Sequence, residues 1–381
     1  MDFKLTEEQE AMREMAKNFA EKKIAPTMDE DEKEHKFRKE IVKEMGRLGF
    51  FGCIAPEKYG GNESGFLTAT VMTEEVARIS PSWGLPFNLQ MNSIQPVLLS
   101  FGTEEQREKY LPKLINTDWL GCFAITEANT GSDVASMKTA AQEVEDGFIL
   151  NGSKMWISGV PVADVGVVYA YTDRAAKHKG ISTFMVDMHA PGVTQKAIET
   201  KLGLFCTPTG EIYFDNVKLP KDSLVGKKGD GFKICMSMLD NTRLSSAARA
   251  IGVAKACLEH SVRYAKEREQ FGQPIANFQM IQEQIAEMFV EEEAARLLVY
   301  RAAWTRDQGV RSTIEVSTAK YFAGEVAVRA ANTAVKIFGS YGFSREYPVE
   351  RFYRDAKSYQ IVEGTSNIQK MILARNCLGL R

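Results

Sequence analysis

The spacing of hydrophobic residues changes twice along the chain, from helical to alternating and back to helical. Thr6 and Gln9 fit a capping box, which predicts a helix running to about Lys23 before Pro26 ends it. A second amphipathic stretch spans Phe37 to Leu48 and is closed by Gly49. Tyr59-Gly60-Gly61-Asn62 reads as a turn, and a further helix is predicted from Phe66 to Ile79. Pro112 is predicted to divide the polar segment Glu104 to Leu114 into a short helix-turn-helix. The period then becomes two. Gly147 to Ser158 alternates behind the hairpin signal Asp146-Gly147, and short β-rich runs follow at Val165 to Tyr171, Ser182 to Met188, Val193 to Ile198 and Glu211 to Leu219. After Gly229-Asp230-Gly231 the helical period returns, with long helices predicted over Phe232 to Lys266, Asn277 to Gln308 and Ser312 to Phe338. Tyr341-Gly342-Phe343 breaks the pattern, and a last helix runs from about Thr365 to Cys377. The expected fold class is α+β multidomain: an N-terminal helical domain over 1–120, an antiparallel β-sheet domain over 121–229 and a four-helix-bundle-like domain over 230–381.

Composition narrows the function classes. Hydrophobic residues make up 44% and charged residues 26% of the 381, with a net charge of -2 and no basic tract, so neither nucleic acid nor an anionic membrane is an expected partner. The opening residues Met1 to Glu8 are mostly polar, without an apolar signal region, and no apolar run is long enough for membrane insertion. Six scattered cysteines without CxxC spacing read as reduced thiols of a cytoplasmic protein, and the four histidines show no metal-ligand spacing. There is no GxGxxG after a strand, no phosphate loop and no GxSxG elbow.

Three motifs remain, and they resemble the FAD-dependent acyl-CoA dehydrogenases over essentially the whole chain. Thr126-Glu127-Ala128-Asn129-Thr130-Gly131-Ser132-Asp133 is similar to the family's TEPxAGSD signature, with Ala128 for proline and Thr130 for alanine. Arg268-Glu269-Gln270-Phe271-Gly272 with Gln279 resembles its R-x-x-FG…Q segment. Tyr359-Gln360-Ile361-Val362-Glu363-Gly364-Thr365-Ser366-Asn367-Ile368-Gln369 is close to YQIxEGTxxIQ. The texture is closest to the glutaryl-CoA and alicyclic acyl-CoA branch, including Cys206-Thr207-Pro208-Thr209-Gly210.

The resemblance implies FAD as cofactor, and the residue chemistry agrees. Phe123, Ile125, Thr126, Gly131 and Ser132 form the loop expected to meet the flavin, with Ser132 also facing the CoA chain; read alone, Asn-Thr-Gly-Ser is a plain turn. Trp156, Ile157 and Ser158 carry the flanking contacts, Trp156 either covering the ring or packing in the sheet core. Arg268 is placed on the pyrophosphate, although such a charge run is also a common solvated helix end. Gln270, Phe271 and Gln279 line the adenosine half. Lys336, Ile337, Gly339 and Ser340 match a segment reading QxxGG in many members, here with lysine for glutamine and Ser340 for glycine. Thr365 and Asn367 open the last helix, whose amides face the cofactor. These contacts cross between subunits in the family, which implies a homotetramer.

Glu363 is the implied catalytic base, taking the α-proton while the β-hydride passes to flavin N5. Tyr359, Ile361 and Val362 are expected to surround it with apolar groups, and Gly364 to admit the substrate. One family variant carries its base where this chain has Thr242, so the choice falls on Glu363. Leu239, Asp240, Thr242 and Arg243 are the other expected substrate contacts, with a helix-surface charge as the alternative for Arg243. Glutaryl-CoA members place an arginine where this chain has Gly84, which favours an uncharged, compact acyl group such as cyclohexane-1-carboxyl-CoA, in a pocket near Trp83 and Phe87. An electron-transferring flavoprotein is the implied acceptor. The alternatives are an enoyl-CoA reductase, an acyl-CoA oxidase or a non-decarboxylating glutaryl-CoA-type dehydrogenase on the same fold.

Overall fold

Residues 4–380 are described in a computed structural model, so Met1 to Phe3 of the polar opening segment and Arg381 lie outside the described residues. The capping box forms as expected: the Thr6 hydroxyl accepts from Gln9 N, and Gln9 returns the bond at the start of α1 (Glu7–Phe19). Next come α2 (Met28–Glu34), α3 (Lys39–Arg47) and α4 (Gly65–Ile79). Between α4 and the sheet the chain is more helical than its pattern predicts. α5 (Pro81–Pro86), a π-helical stretch (Phe87–Ser93) and α6 (Ile94–Phe101) follow one another, with every residue from 81 to 98 buried. A helix buried on all sides has no polar face, so its sequence shows no amphipathic period. Pro112 does not split α7 (Glu104–Ile115), a correction to the expected helix-turn-helix. It sits in the last turn, where its missing N–H removes one bond and few residues remain to be redirected.

The sheet is built from β1 (Gly121–Ala124), β2 (Ala140–Val144), β3 (Gly147–Ser158), β4 (Val165–Tyr171), β5 (Ile181–Asp187), β6 (Val193–Ala197), β7 (Thr209–Pro220) and β8 (Leu224–Val225). Its order is β6-β7-β3-β2-β4-β5-β8, with β1 also paired to β4. Most pairs are antiparallel, but β1 and β2 both run parallel to β4, so the sheet is mixed rather than purely antiparallel. Parallel pairing follows because the chain reaches β4 by crossing from β3 rather than by a hairpin.

Beyond the sheet run α8 (Gly231–Glu267), the hairpin β9 (Glu269–Gln270) and β10 (Gln273–Pro274), α9 (Gln279–Asp307), α10 (Thr313–Phe338), α11 (Val349–Ala356) and α12 (Ser366–Cys377). Alanines 247, 250 and 254 of α8 and 319, 323, 327 and 331 of α10 are fully buried or nearly so, in one cluster. Small side chains let these two long helices approach closely. Among the described residues no helix is long and apolar enough to cross a membrane.

Candidate active site

The chain reverses at Glu363 and Gly364, which both take left-handed backbone angles, φ +57° and +87°. Glycine adopts this freely, but a glutamate there is uncommon and needs support from its surroundings. The support is specific. The Glu363 carbonyl accepts from Arg243 Nε and Gln369 Nε2, each at 3.2 Å. The Gly364 carbonyl accepts from Lys320 Nζ at 2.7 Å and Gln369 Nε2 at 3.0 Å. A Cβ at position 364 would lie 2.9 Å from Gln369 Nε2, so a side chain there would displace the amide that holds the turn. Thr365 then caps α12, its hydroxyl accepting from Ile368 N.

The Glu363 carboxylate lies between two other helical segments. Oε1 accepts from Asn88 Nδ2 at 2.9 Å, and Oε2 accepts from the Thr242 hydroxyl at 2.6 Å. Thr242 and Glu363, the two positions between which the sequence chooses a base, therefore adjoin in space. Arg243 is buried rather than on a helix surface, and its Nη1 donates to Asp240 Oδ1 at 3.0 Å. Asp240 Oδ2 accepts from the Thr313 hydroxyl at 2.7 Å, and Leu239 is buried beside it. The expected apolar neighbours are not uniformly gathered round it, and both carboxylate oxygens are met by polar donors. Ile361 is 57% exposed, Tyr359 is buried against Arg249, and the hydrogen-bond partners of the carboxylate are an amide and a hydroxyl.

A second loop leaves β1. Glu127 and Thr130 exchange backbone hydrogen bonds of 3.0 Å, and Thr126 O accepts from Met155 N, tying the loop to β3. Beneath it Lys154, fully buried, donates to Ile125 O and Glu127 Oε1, both at 3.0 Å. Burial pushes the Lys154 ammonium down to about 8. Burial raises the Glu127 carboxyl, but the Lys154 charge and the hydrogen bonds from Lys138 and Thr139 outweigh it and hold the group below its ordinary range. Between Lys154 and Ile157 the register of β3 against β7 shifts. Such a bulge re-aims the side chain it carries. Here Trp156 has φ +62° and is 52% exposed, so it is not packed in the sheet core.

Not every expected residue faces this cleft. The side chains of Ile125 and Ile157 are turned into hydrophobic clusters and leave only their backbone to a ligand, while Phe123 is half-buried. Gly131 and Ser132 are exposed, with open space where a Cβ of Gly131 would stand. Among the described residues the Thr126 and Ser158 hydroxyls have no partner in the chain. An exposed indole, open backbone and free hydroxyls on one loop and bulge fit the ring of a flavin, which needs a flat apolar face and polar partners at its edge.

Arg268, Gln270 and Phe271 stand apart from Glu363. The Arg268 guanidinium lies 5.4 Å from the Tyr341 ring, just beyond Gly339 and Ser340. Phe271, at φ +53°, is 93% exposed on the β9–β10 hairpin. Gln270, Gln279, Lys336, Ser340 and Asn367 are exposed, whereas Ile337 is buried in the helical core. No hydrogen bond among the described residues joins this group to the Glu363 centre.

Trp83 and Phe87, near which the acyl pocket is expected, are both fully buried. Trp83 is stacked on Phe37 at 5.6 Å, and Phe87 packs against Phe50 and Phe51. Gly84 instead abuts Arg249: a Cβ there would lie 2.9 Å from Arg249 Cγ. Sequence reasoning also missed Asn88, Lys154, Lys320 and Gln369. Two of them carried a signal. Lys154 falls in phase with the inward residues Phe148 and Leu150 of β3, and Lys320 lies on the apolar stripe of Val316 and Ala323 on α10.

Comparisons with known proteins agree along the chain. Residues 6–118, 122–217 and 229–378 match the family descriptions "Acyl-CoA dehydrogenase, N-terminal domain", "middle domain" and "C-terminal domain". The chain is 47% identical to a glutaryl-CoA dehydrogenase of Desulfococcus multivorans, covering 100% of this chain and 99% of that one. It superposes with a TM-score of 0.97 on a glutaryl-coenzyme A dehydrogenase bound to glutaryl-CoA, at 46% identity, covering 100% of this chain and 98% of the other. It also superposes, at 0.98 and 40% identity, on a chain solved in work on the electron transferring flavoprotein of Acidaminococcus fermentans, with 99% and 100% coverage.

Proposed function

Because the chain belongs to the acyl-CoA dehydrogenase family, flavin-dependent oxidoreductases that use FAD, we propose that it dehydrogenates an acyl-CoA thioester between the α and β carbons with Glu363 as the base. One observation carries this reading: a carboxylate on a left-handed turn, held by neutral donors from two other helical segments. Glu363 takes the α-proton on a carboxylate oxygen whose rotation Asn88 and Thr242 restrict. The Glu363 backbone N–H donates to no group among the described residues and is available to the thioester oxygen as negative charge develops there. Arg243 holds the turn through the Glu363 carbonyl, and Asp240 holds Arg243. Thr126, Ser132, Trp156 and Ser158 receive the ring end of FAD, and Arg268, Phe271 and Ser340 its phosphate and adenosine end. When bound, FAD supplies the acceptor for the β-hydride.

The exposed Phe271, Met280 and Phe343, at 93%, 74% and 90%, support a homotetramer in which another subunit covers them. Similarity to the chain from the Acidaminococcus work supports an electron-transferring flavoprotein as acceptor. Five buried free cysteines suit a reducing cytoplasm. For the acyl group, Gly84 and the absence of any Lys or Arg between Arg78 and Arg107 favour an uncharged, compact chain such as the alicyclic cyclohexane-1-carboxyl-CoA. A second reading, glutaryl-CoA, is favoured by Arg249, a buried guanidinium beside Gly84 with Nη2 unpartnered and no ion pair among the described residues.

Anaerobic titration of the FAD-loaded protein with alicyclic, branched, short straight-chain and glutaryl thioesters tests both. Bleaching by the cyclic or other neutral thioesters and not by glutaryl-CoA is expected; the reverse pattern selects the second reading. Glu363→Gln should bind the same thioesters and slow bleaching by about 10²–10⁴-fold. A variant that bleaches at the normal rate removes Glu363 as the base.

A further inference from the structure

The cations and the neutral donors around Glu363 are sorted. Arg243 and Lys320 are spent on backbone carbonyls of the turn, while both carboxylate oxygens are met by uncharged groups. Thr242 is one of these groups, and the variant base position already gives it a place in the reading. Asn88 has none. It lies in the π-helical stretch Phe87–Ser93 and is 1% exposed. A π turn is rare inside a helix and is found mostly at functional sites, where it displaces side chains from the regular ladder. Only the nitrogen end of the amide can face a carboxylate, so Nδ2 donating to Oε1 is the chemically required orientation. The other end, Oδ1, is buried without a partner. A buried acceptor left unmade is costly, and a ligand or an ordered water is what satisfies it.

We propose that Asn88 is a positioning residue for proton abstraction: its amide fixes the rotation of the Glu363 carboxylate without placing a positive charge against it. The proposal rests on Glu363 being the base. A lysine or arginine at position 88 would pair with the carboxylate and weaken it as a proton acceptor. An amide restricts its geometry alone. The titratable groups that face the pair are Arg243 and Cys235 on α8 and Lys320 on α10; the π-helical stretch itself carries no charge.

The test uses the FAD-loaded protein, stopped-flow bleaching and a thioester with hydrogen or deuterium at the α carbon. In Asn88→Ala the thioester should bind as before, bleaching should slow by about 10- to 100-fold, and the α-deuterium isotope effect should rise. Asn88→Asp, nearly isosteric, places a second carboxylate against Oε1. The two should share a proton and move the acid limb of the bleaching rate to higher pH. Wild-type rates and isotope effect in Asn88→Ala, with a wild-type pH profile in Asn88→Asp, overturn the proposal. Glu363→Gln measured alongside separates the failures. If it is inert while both Asn88 variants behave as wild type, Asn88 alone is misassigned; if it bleaches normally, the base itself is wrong and both readings fall.

Discussion

The loop after β1 and the turn at Glu363 each rest on a buried lysine, but the two lysines are partnered differently. Lys154 faces a carboxylate, Glu127, at 3.0 Å, as well as the Ile125 carbonyl. Lys320 donates to the Gly364 carbonyl at 2.7 Å and has no ion pair among the described residues. Burial pushes both ammonium groups down to about 8, yet it strands different things when either lysine is removed. Without Lys154, Glu127 is left as a buried charge beneath the loop that carries Thr126 and Ser132. Without Lys320, the Gly364 carbonyl still accepts from Gln369 at 3.0 Å. The comparison teaches that one loop is locked by an ion pair and the other by redundant hydrogen bonds.

The strongest way to break this contrast is Lys154→Met. Removing one partner of a buried pair costs about 3–5 kcal/mol, far more than the pair itself contributes. A large drop in the urea midpoint is expected, together with loss of bound FAD, because Glu127 accepts from Lys138 and Thr139 as well and fixes the whole loop. The double variant Glu127→Gln with Lys154→Met should recover most of the loss. A single variant as stable as the wild type would show that Glu127 relaxes into solvent, and the loop would then owe its shape to its backbone bonds alone.

Much of this arrangement was legible in the sequence, for physical reasons that also mark where reading stops. Long amphipathic helices and alternating strands announce themselves because one face is wet. Segment 81–98 does not, because it is buried all round, and Asn88 lies within it. Glu363 was legible by motif. Its hydrogen-bond partners are not, because Asn88 and Thr242 are each more than a hundred residues away in sequence. Trp156 has two readings in the sequence, core and cleft, because a bulge is invisible in a strand's alternation. Arg243 reads from sequence as either ligand contact or surface charge because its partners, Asp240 and the Glu363 carbonyl, include one more than a hundred residues away.

Lys320 sharpens the comparison with smaller effects. At pH 7 Lys320→Met should change unfolding stability by under about 1 kcal/mol, since the carbonyl it leaves keeps another donor. The pH dependence is more telling. Burial is the largest cause of the lowered Lys320 value, opposed by Glu363 and Glu325 and assisted by Arg243. The folded group titrates near 8 and the unfolded one near its ordinary 10.5, so between those values the unfolded chain holds a proton that the folded chain has lost. Stability therefore rises with pH across that window, by at most about 1.4 kcal/mol per pH unit. Below pH 8 both states are protonated and the term is flat. Lys320→Met lacks this term, so wild type should gain on the variant in urea unfolding between pH 8 and 10. A stability difference that stays constant over that range would mean the ammonium is not held down by burial, and that Lys320 reaches solvent when the Glu363 turn breathes.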